Sequence, residues 1–121
     1  IMYSQQRATV AFLCGCLQDK SDRRYNCVYD SSTSTYVTFN YVDNGGNISV
    51  YDYRRGCYLT GRIPSFYDYG LSSYISLTKI NENTYNIYDY RTGSYLAVSC
   101  QLQVISIYDY SVGRYFQYQI S

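Results

Sequence analysis

The 121-residue chain has no histidine, no tryptophan and a single proline. The missing histidine removes Ser-His-Asp and Cys-His catalysis, the commonest general base and the commonest metal ligand. No glycine-rich loop of the GxxxxGK[ST] type is present to cradle a phosphate. Charge bias is missing as well: ten Lys and Arg face nine Asp and Glu, a net charge of +1. No bulk field therefore draws the chain to nucleic acid or to an anionic membrane. Its only adjacent basic pairs, Arg23-Arg24 and Arg54-Arg55, read as solvated turn arginines. No apolar run approaches the roughly 20 residues of a membrane helix, and good helix segments are scarce. An all-β chain is expected.

Five cysteines, Cys14, Cys16, Cys27, Cys57 and Cys100, include no C-x-x-C pair. An odd number at irregular spacing suits buried free thiols in a reducing compartment better than a disulfide framework. A Cys27–Cys57 or Cys57–Cys100 bridge stays open, because spacing alone does not fix geometry. Cys14-x-Cys16 with Cys27 matches no common zinc pattern, and neither metal nor cofactor is expected.

What the chain has in excess is tyrosine, nineteen against four phenylalanines. Tyrosine favours half-buried pleated surfaces and wants water or a partner at its hydroxyl. It appears in a signature that recurs five times, Tyr-Asp, five residues, Tyr: Tyr29-Asp30…Tyr36, Tyr51-Asp52…Tyr58, Tyr67-Asp68…Tyr74, Tyr88-Asp89…Tyr95 and Tyr108-Asp109…Tyr115. In three copies a glycine, Gly56, Gly93 or Gly113, stands four residues after the Asp. Each copy reads as a β-hairpin with that glycine left-handed at the end of a three-residue loop. Ser34 and Ser72 replace it in the other two copies, which must bear strain or adopt another turn. This register pairs Asp89 with Tyr95 and Tyr88 with Leu96, so that Asp and the later Tyr share a face. The carboxylate would then accept from that Tyr hydroxyl or from the turn amides.

Alternate copies resemble one another more closely than neighbours, which gives a period near forty residues and two hairpins per unit. Three units, roughly 8–46, 47–82 and 83–121, make one all-β hairpin-repeat domain. A degenerate sixth hairpin is expected near residues 8–20. Six hairpins suit a β-trefoil-like or β-prism-like closed assembly; the alternative is a simple hairpin-repeat β-barrel. The run Thr9–Cys16 is read as a buried strand. A second reading takes it as a signal-like segment, since Leu13-Cys14-Gly15-Cys16 resembles a bacterial lipoprotein cleavage box. Localisation leans cytoplasmic on the cysteine count, with a lipoprotein or secreted protein as the alternative.

Paired carboxylates can hydrolyse glycosides, but five repeated Asp residues argue for a structural task, because catalysis needs one asymmetric constellation. No catalytic residue is assigned. About two-thirds of the tyrosines are expected to fill gaps in the core or rim. The remainder give the candidate ligand-binding residues, Tyr51, Asp52, Tyr53, Tyr88, Asp89, Tyr90, Tyr108, Asp109 and Tyr110, with aromatic rings to stack on a partner and carboxylates to accept from hydroxyls. The stretch Asn47-Ile48-Ser49-Val50-Tyr51-Asp52 resembles the Asn…Tyr-Asp strand of the mannose-binding bulb-type lectins, although the Gln and Asp that precede the Asn in that family are missing. The expected function is a non-catalytic interaction or structural module presenting Tyr-rich hairpins. A multivalent carbohydrate-binding domain is the alternative, and an enzyme the distant third. A protein partner or self-association is expected first and a glycan second, with no nucleic acid and no membrane insertion.

Overall fold

Alternation of apolar and polar residues around the five signatures builds a closed antiparallel barrel of ten strands. The structure, a computed structural model, describes residues 2–121. The strands are β1 (Cys27–Asp30), β2 (Thr35–Asn44), β3 (Asn47–Asp52), β4 (Cys57–Arg62), β5 (Ser65–Asp68), β6 (Ser73–Lys79), β7 (Thr84–Asp89), β8 (Ser94–Gln101), β9 (Val104–Asp109) and β10 (Arg114–Ile120). Each pairs with the next in sequence, and β1 closes on β10 through Val28↔Ile120 and Asp30↔Tyr118. Closure leaves no unpaired sheet edge. The simple barrel, expected as the alternative to a β-trefoil-like or β-prism-like assembly, is the architecture that forms. Ten strands run in one meander where twelve in three units were expected.

The difference lies at the amino end. Residues 8–20 form no hairpin and no strand; they belong to α1 (Ser4–Gln18), which threads the barrel. Gln6 through Gly15 are all buried. An apolar run without alternation fits a buried strand and a buried helix equally well, and a helix apolar all round must be surrounded on every side. Here the sheet surrounds it. Phe12 stacks on Phe39 at 4.6 Å between ring centroids. Gly15 admits the wall closely: a Cβ there would sit 2.7 Å from Ile120 Cδ1. The stretch that reads as a signal-like segment is thus the centre of the core, with Val10, Ala11, Phe12, Leu13 and Cys14 packed against inward residues such as Val50, Ile75, Ile87, Val98 and Ile107. The helix supplies the volume that tyrosines were expected to fill. Only Tyr25, Tyr85 and Tyr118 are buried.

Hairpin turns of a meander barrel alternate between its two ends, so all five signature turns lie on one rim. The opposite rim carries Gly45-Gly46, the cis Ile63-Pro64 peptide and the turns near residues 80–83 and 102–103. Pro64 therefore sits in a tight turn; a closed barrel offers it no edge strand. The helix amino end points to the signature rim, where Arg7 and Thr9 reach Asp109 and Asp52. Its carboxyl end lies at the other rim, where Gln18 Oε1 accepts from the Tyr85 hydroxyl at 3.0 Å.

The cysteines form no disulfide among the described residues; Cys14 and Cys100 are buried, and Cys16, Cys27 and Cys57 half-buried. Burial first, then the neighbouring Cys100 and Cys16 thiols, push the Cys14 thiol well above its ordinary value. Burial also lifts Cys16 to about 12 and Cys100 to about 11.

Candidate functional site

Every signature adopts one geometry, and it differs from the expected register by one residue. Asp89 pairs with Ser94, Tyr88 with Tyr95 and Ile87 with Leu96. The other copies pair Tyr29 with Tyr36, Tyr51 with Tyr58, Tyr67 with Tyr74 and Tyr108 with Tyr115. The loops therefore hold four residues, as in Tyr90-Arg91-Thr92-Gly93. A one-residue slip moves every side chain to the other face, so Asp and the later Tyr do not share a face. The Asp points inward, and the two tyrosines pair outside. Gly56, Gly93 and Gly113 end their loops at φ +66°, +68° and +67°, and their N–H groups donate to the Asp carbonyls at 2.7–2.8 Å. Ser34 and Ser72 take the same left-handed place at φ +55° and +50°.

Consecutive strand residues face opposite ways, so each Tyr-Asp pair builds two rings on one rim, Asp inside and Tyr outside. The inner ring is closed to solvent, with Asp30, Asp52, Asp68, Asp89 and Asp109 no more than 1 % exposed. Each Asp accepts at Oδ1 from the amide two residues on: Ser32 (2.9 Å), Arg54 (2.9 Å), Gly70 (2.9 Å), Arg91 (3.1 Å) and Ser111 (2.9 Å). This side-chain turn satisfies donors that the tight loop leaves unpaired. The ring also grips the helix. Arg7 Nη1 donates to Asp109 Oδ2 at 3.0 Å, with the guanidinium 3.6 Å above the centroid of the Phe116 ring. Thr9 Oγ1 donates to Asp52 Oδ2 at 3.0 Å.

Arg55 completes the clamp. Its Nε donates to Asp52 (2.8 Å), Nη1 to Asp68 (3.1 Å) and Nη2 to Thr9 (3.2 Å). It is no solvated turn arginine, since 11 % of its side chain is exposed. Burial works against its charge, but the hydrogen bond to Asp52 and the Asp68 carboxylate outweigh that and raise its pKa. The amino end of a helix carries partial positive charge, which five carboxylates around it complement.

The outer ring is a collar of aromatic rings in four triads and one pair. Tyr51, Tyr53 and Tyr58 form one triad, and Tyr67-Tyr69-Tyr74, Tyr88-Tyr90-Tyr95 and Tyr108-Tyr110-Tyr115 the others. Tyr29 and Tyr36 make the pair, because Ser31 stands where the other copies have a third Tyr. Centroids lie 4.7–4.9 Å apart, most rings meeting edge to face, which adds about 0.5–1.5 kcal/mol per pair beyond burial. The backbone fixes the loop tyrosines too: Tyr53, Tyr69, Tyr90 and Tyr110 each donate an N–H to the preceding hairpin at 3.0–3.2 Å. Nine collar tyrosines stay exposed, from 49 % at Tyr58 to 73 % at Tyr115.

The candidate residues from the sequence therefore split. Tyr51, Tyr53, Tyr88, Tyr90, Tyr108 and Tyr110 stand together on the outer collar, whereas Asp52, Asp89 and Asp109 face the helix and are engaged with their own turns. Sequence reasoning missed Arg7, Thr9 and Arg55. Arg7 had a signal, for a lone arginine at the head of an apolar segment needs a buried acid partner. Among the described residues no group of three or more His, Cys, Asp or Glu is placed to hold a metal ion. No family model matches the chain, and no curated protein or solved structure matches it either.

Proposed function

We propose that the barrel is a non-catalytic binding module whose contact surface is the tyrosine collar. The observation that carries this reading is the set of nine exposed rings, held in fixed stacks by ring-on-ring contacts and backbone pairing. Aromatic rings that are rigid before contact lose little conformational entropy on binding. A monomer with no partner gains nothing from presenting them.

The carboxylates support the same reading by what occupies them. Each already accepts from its own turn, and three also accept from side chains of Arg7, Thr9 or Arg55. That leaves the tyrosines for a partner. Below the collar, the outward strand residues include Ser49, Thr60, Ser76, Asn86, Ser106 and Gln117. A transmembrane barrel turns an apolar band outward, and this pattern is the reverse. No helix among the described residues is long and apolar enough to cross a membrane.

The test replaces Tyr53, Tyr69, Tyr90 and Tyr110 together by Ser. These are loop residues outside the core, so the fold should survive, checked by circular dichroism. Sedimentation and affinity capture then compare the variant with wild type. The reading expects loss of self-association or of captured partners. Identical behaviour of the two proteins would refute it.

A further inference from the structure

We infer that the cleft centred on Asn86 takes an uncharged oligosaccharide, which rests on the collar reading and names its ligand class. Between the third and fourth hairpins, Ser76, Thr78, Asn86, Tyr88, Tyr90 and Tyr95 line a cleft of about 340 Å³. Asn86 also borders a second cleft of about 420 Å³, where it meets Ser99, Ser106, Tyr108, Tyr110 and Tyr115. Strand pairing explains the shared wall: Asn86 stands opposite Thr78 on one side and Ala97 on the other. Ala97 is small and lines the second cleft beside Tyr108, its pairing partner on β9.

Charge selects the occupant. No residue lining either cleft carries a formal charge. A uronic acid or a phosphorylated ligand would lose its hydration without gaining a cation, whereas a neutral sugar gives up only hydroxyl hydration. The lining answers a neutral sugar twice over. Tyr88 meets Tyr90 at 88° and Tyr95 at 54°, which turns ring faces in different directions for the apolar face of a pyranose. The Asn86 amide and the hydroxyls of Ser76 and Thr78 make no hydrogen bond within the described residues and are free to pair with sugar hydroxyls. An amide both donates and accepts, which matches a hydroxyl that does the same. Two clefts sharing one wall suit several linked units rather than one monosaccharide, and linked weak contacts act together.

The experiment titrates the protein calorimetrically with the hexasaccharides of β-glucan, xylan, mannan and N-acetylated chitin, with hexagalacturonate and a decaproline peptide as comparators. The expected result is binding of at least one neutral hexasaccharide and none of hexagalacturonate. Asn86→Ala, at unchanged melting temperature, and Tyr90→Ala, which also gives up its ring contact with Tyr88 while the barrel stays folded, should each weaken it about tenfold or more. Asn40→Ala, on β2 outside both clefts, should leave affinity unchanged. Failure of all four neutral sugars overturns the inference, as does affinity indifferent to both cleft variants. If decaproline binds instead and Tyr90→Ala abolishes it, the sugar inference fails while the collar reading stands. If the collar variant of the preceding section also changes no association, both fail.

Discussion

The inner ring contains its own control, and Asp109→Ala against Asp30→Ala uses it. The two carboxylates share their turn chemistry: each accepts from the N–H and hydroxyl of the serine two residues on, at 2.6–2.9 Å. They differ in one respect, since Asp109 also receives Arg7 Nη1 at 3.0 Å in a pair whose side chains are 7 % and 0 % exposed. Asp30→Ala removes ordinary hydrogen bonds to an exposed loop serine that water can reach, at a cost of about 1 kcal/mol. Asp109→Ala removes the same and leaves a guanidinium uncompensated inside the barrel, where breaking a buried pair costs about 3–5 kcal/mol. The expected gap is the cost of the broken pair, about 3–5 kcal/mol, a large share of the about 5–15 kcal/mol that holds a domain together. Urea unfolding with an unchanged slope measures it. The double variant Arg7→Met/Asp109→Leu should recover most of the loss, because an apolar pair of similar volume replaces both charges. Equal costs for Asp109→Ala and Asp30→Ala would refute the reasoning and reduce the ring to five independent turn caps.

Ser34→Gly and Ser72→Gly should each stabilise by about 0.5–1 kcal/mol, since both serines hold the left-handed conformation that glycine adopts freely; thermal melts check this, and a loss of stability would contradict it. Gln6 is 1 % exposed and among the described residues neither its amide nitrogen nor its oxygen has a partner, so Gln6→Leu should raise stability by about 1–3 kcal/mol, and a fall in the urea midpoint would show the amide to be satisfied. Stability should hold up to the ordinary thiol value of 9.0 and fall as pH rises toward about 11, the value to which burial lifts Cys100, because a buried thiol resists ionisation that the unfolded chain accepts; a flat urea midpoint from pH 9 to 11 would contradict it. Hydrogen bonds from Tyr25 and Ser21 hold the Asp19 carboxyl down to about 2, so the loop after α1 should keep its Tyr25–Asp19 contact until pH falls from 3.8 toward 2; loss of that contact by pH 4, followed by NMR at Tyr25, would argue against it.

The parts of this fold legible in the sequence are those fixed by local rules. Five signatures meant five hairpins, because Tyr-Asp alternation and a left-handed glycine act over a few residues. Loop length was less legible. Four residues and three both place Gly93 at the turn's end, and only the pairing of Tyr88 with Tyr95 tells them apart. That single residue decided which face each side chain takes, since it turned the carboxylates inward toward the helix. The helix was illegible for a different reason. Ala8–Cys16 has neither period 2 nor a polar stripe, so only the barrel around it decides between helix and strand. With the helix hidden, the core looked short of bulk and the tyrosines looked like its filling. The position of Asn86 between Thr78 and Ala97, on which the proposed cleft rests, was invisible because it depends on pairing across two ladders.

One dipeptide carries two tasks on two faces. The Asp closes its turn and, in three of the five copies, bonds Arg7, Thr9 or Arg55. The Tyr adds no core volume and stands outside. The faces are separable, because a change at Tyr90 touches only neighbouring rings and a loop, whereas a change at Asp89 unpairs Arg91 N–H and the Thr92 hydroxyl. The first copy shows the separation within this chain. Ser31 replaces the loop tyrosine there, yet Asp30 stays buried and still accepts at Oδ1 from the amide two residues on, as in the other four. The rim is thus built so that ring contacts can vary without loss of the barrel, a property that suits the binding role proposed for the collar.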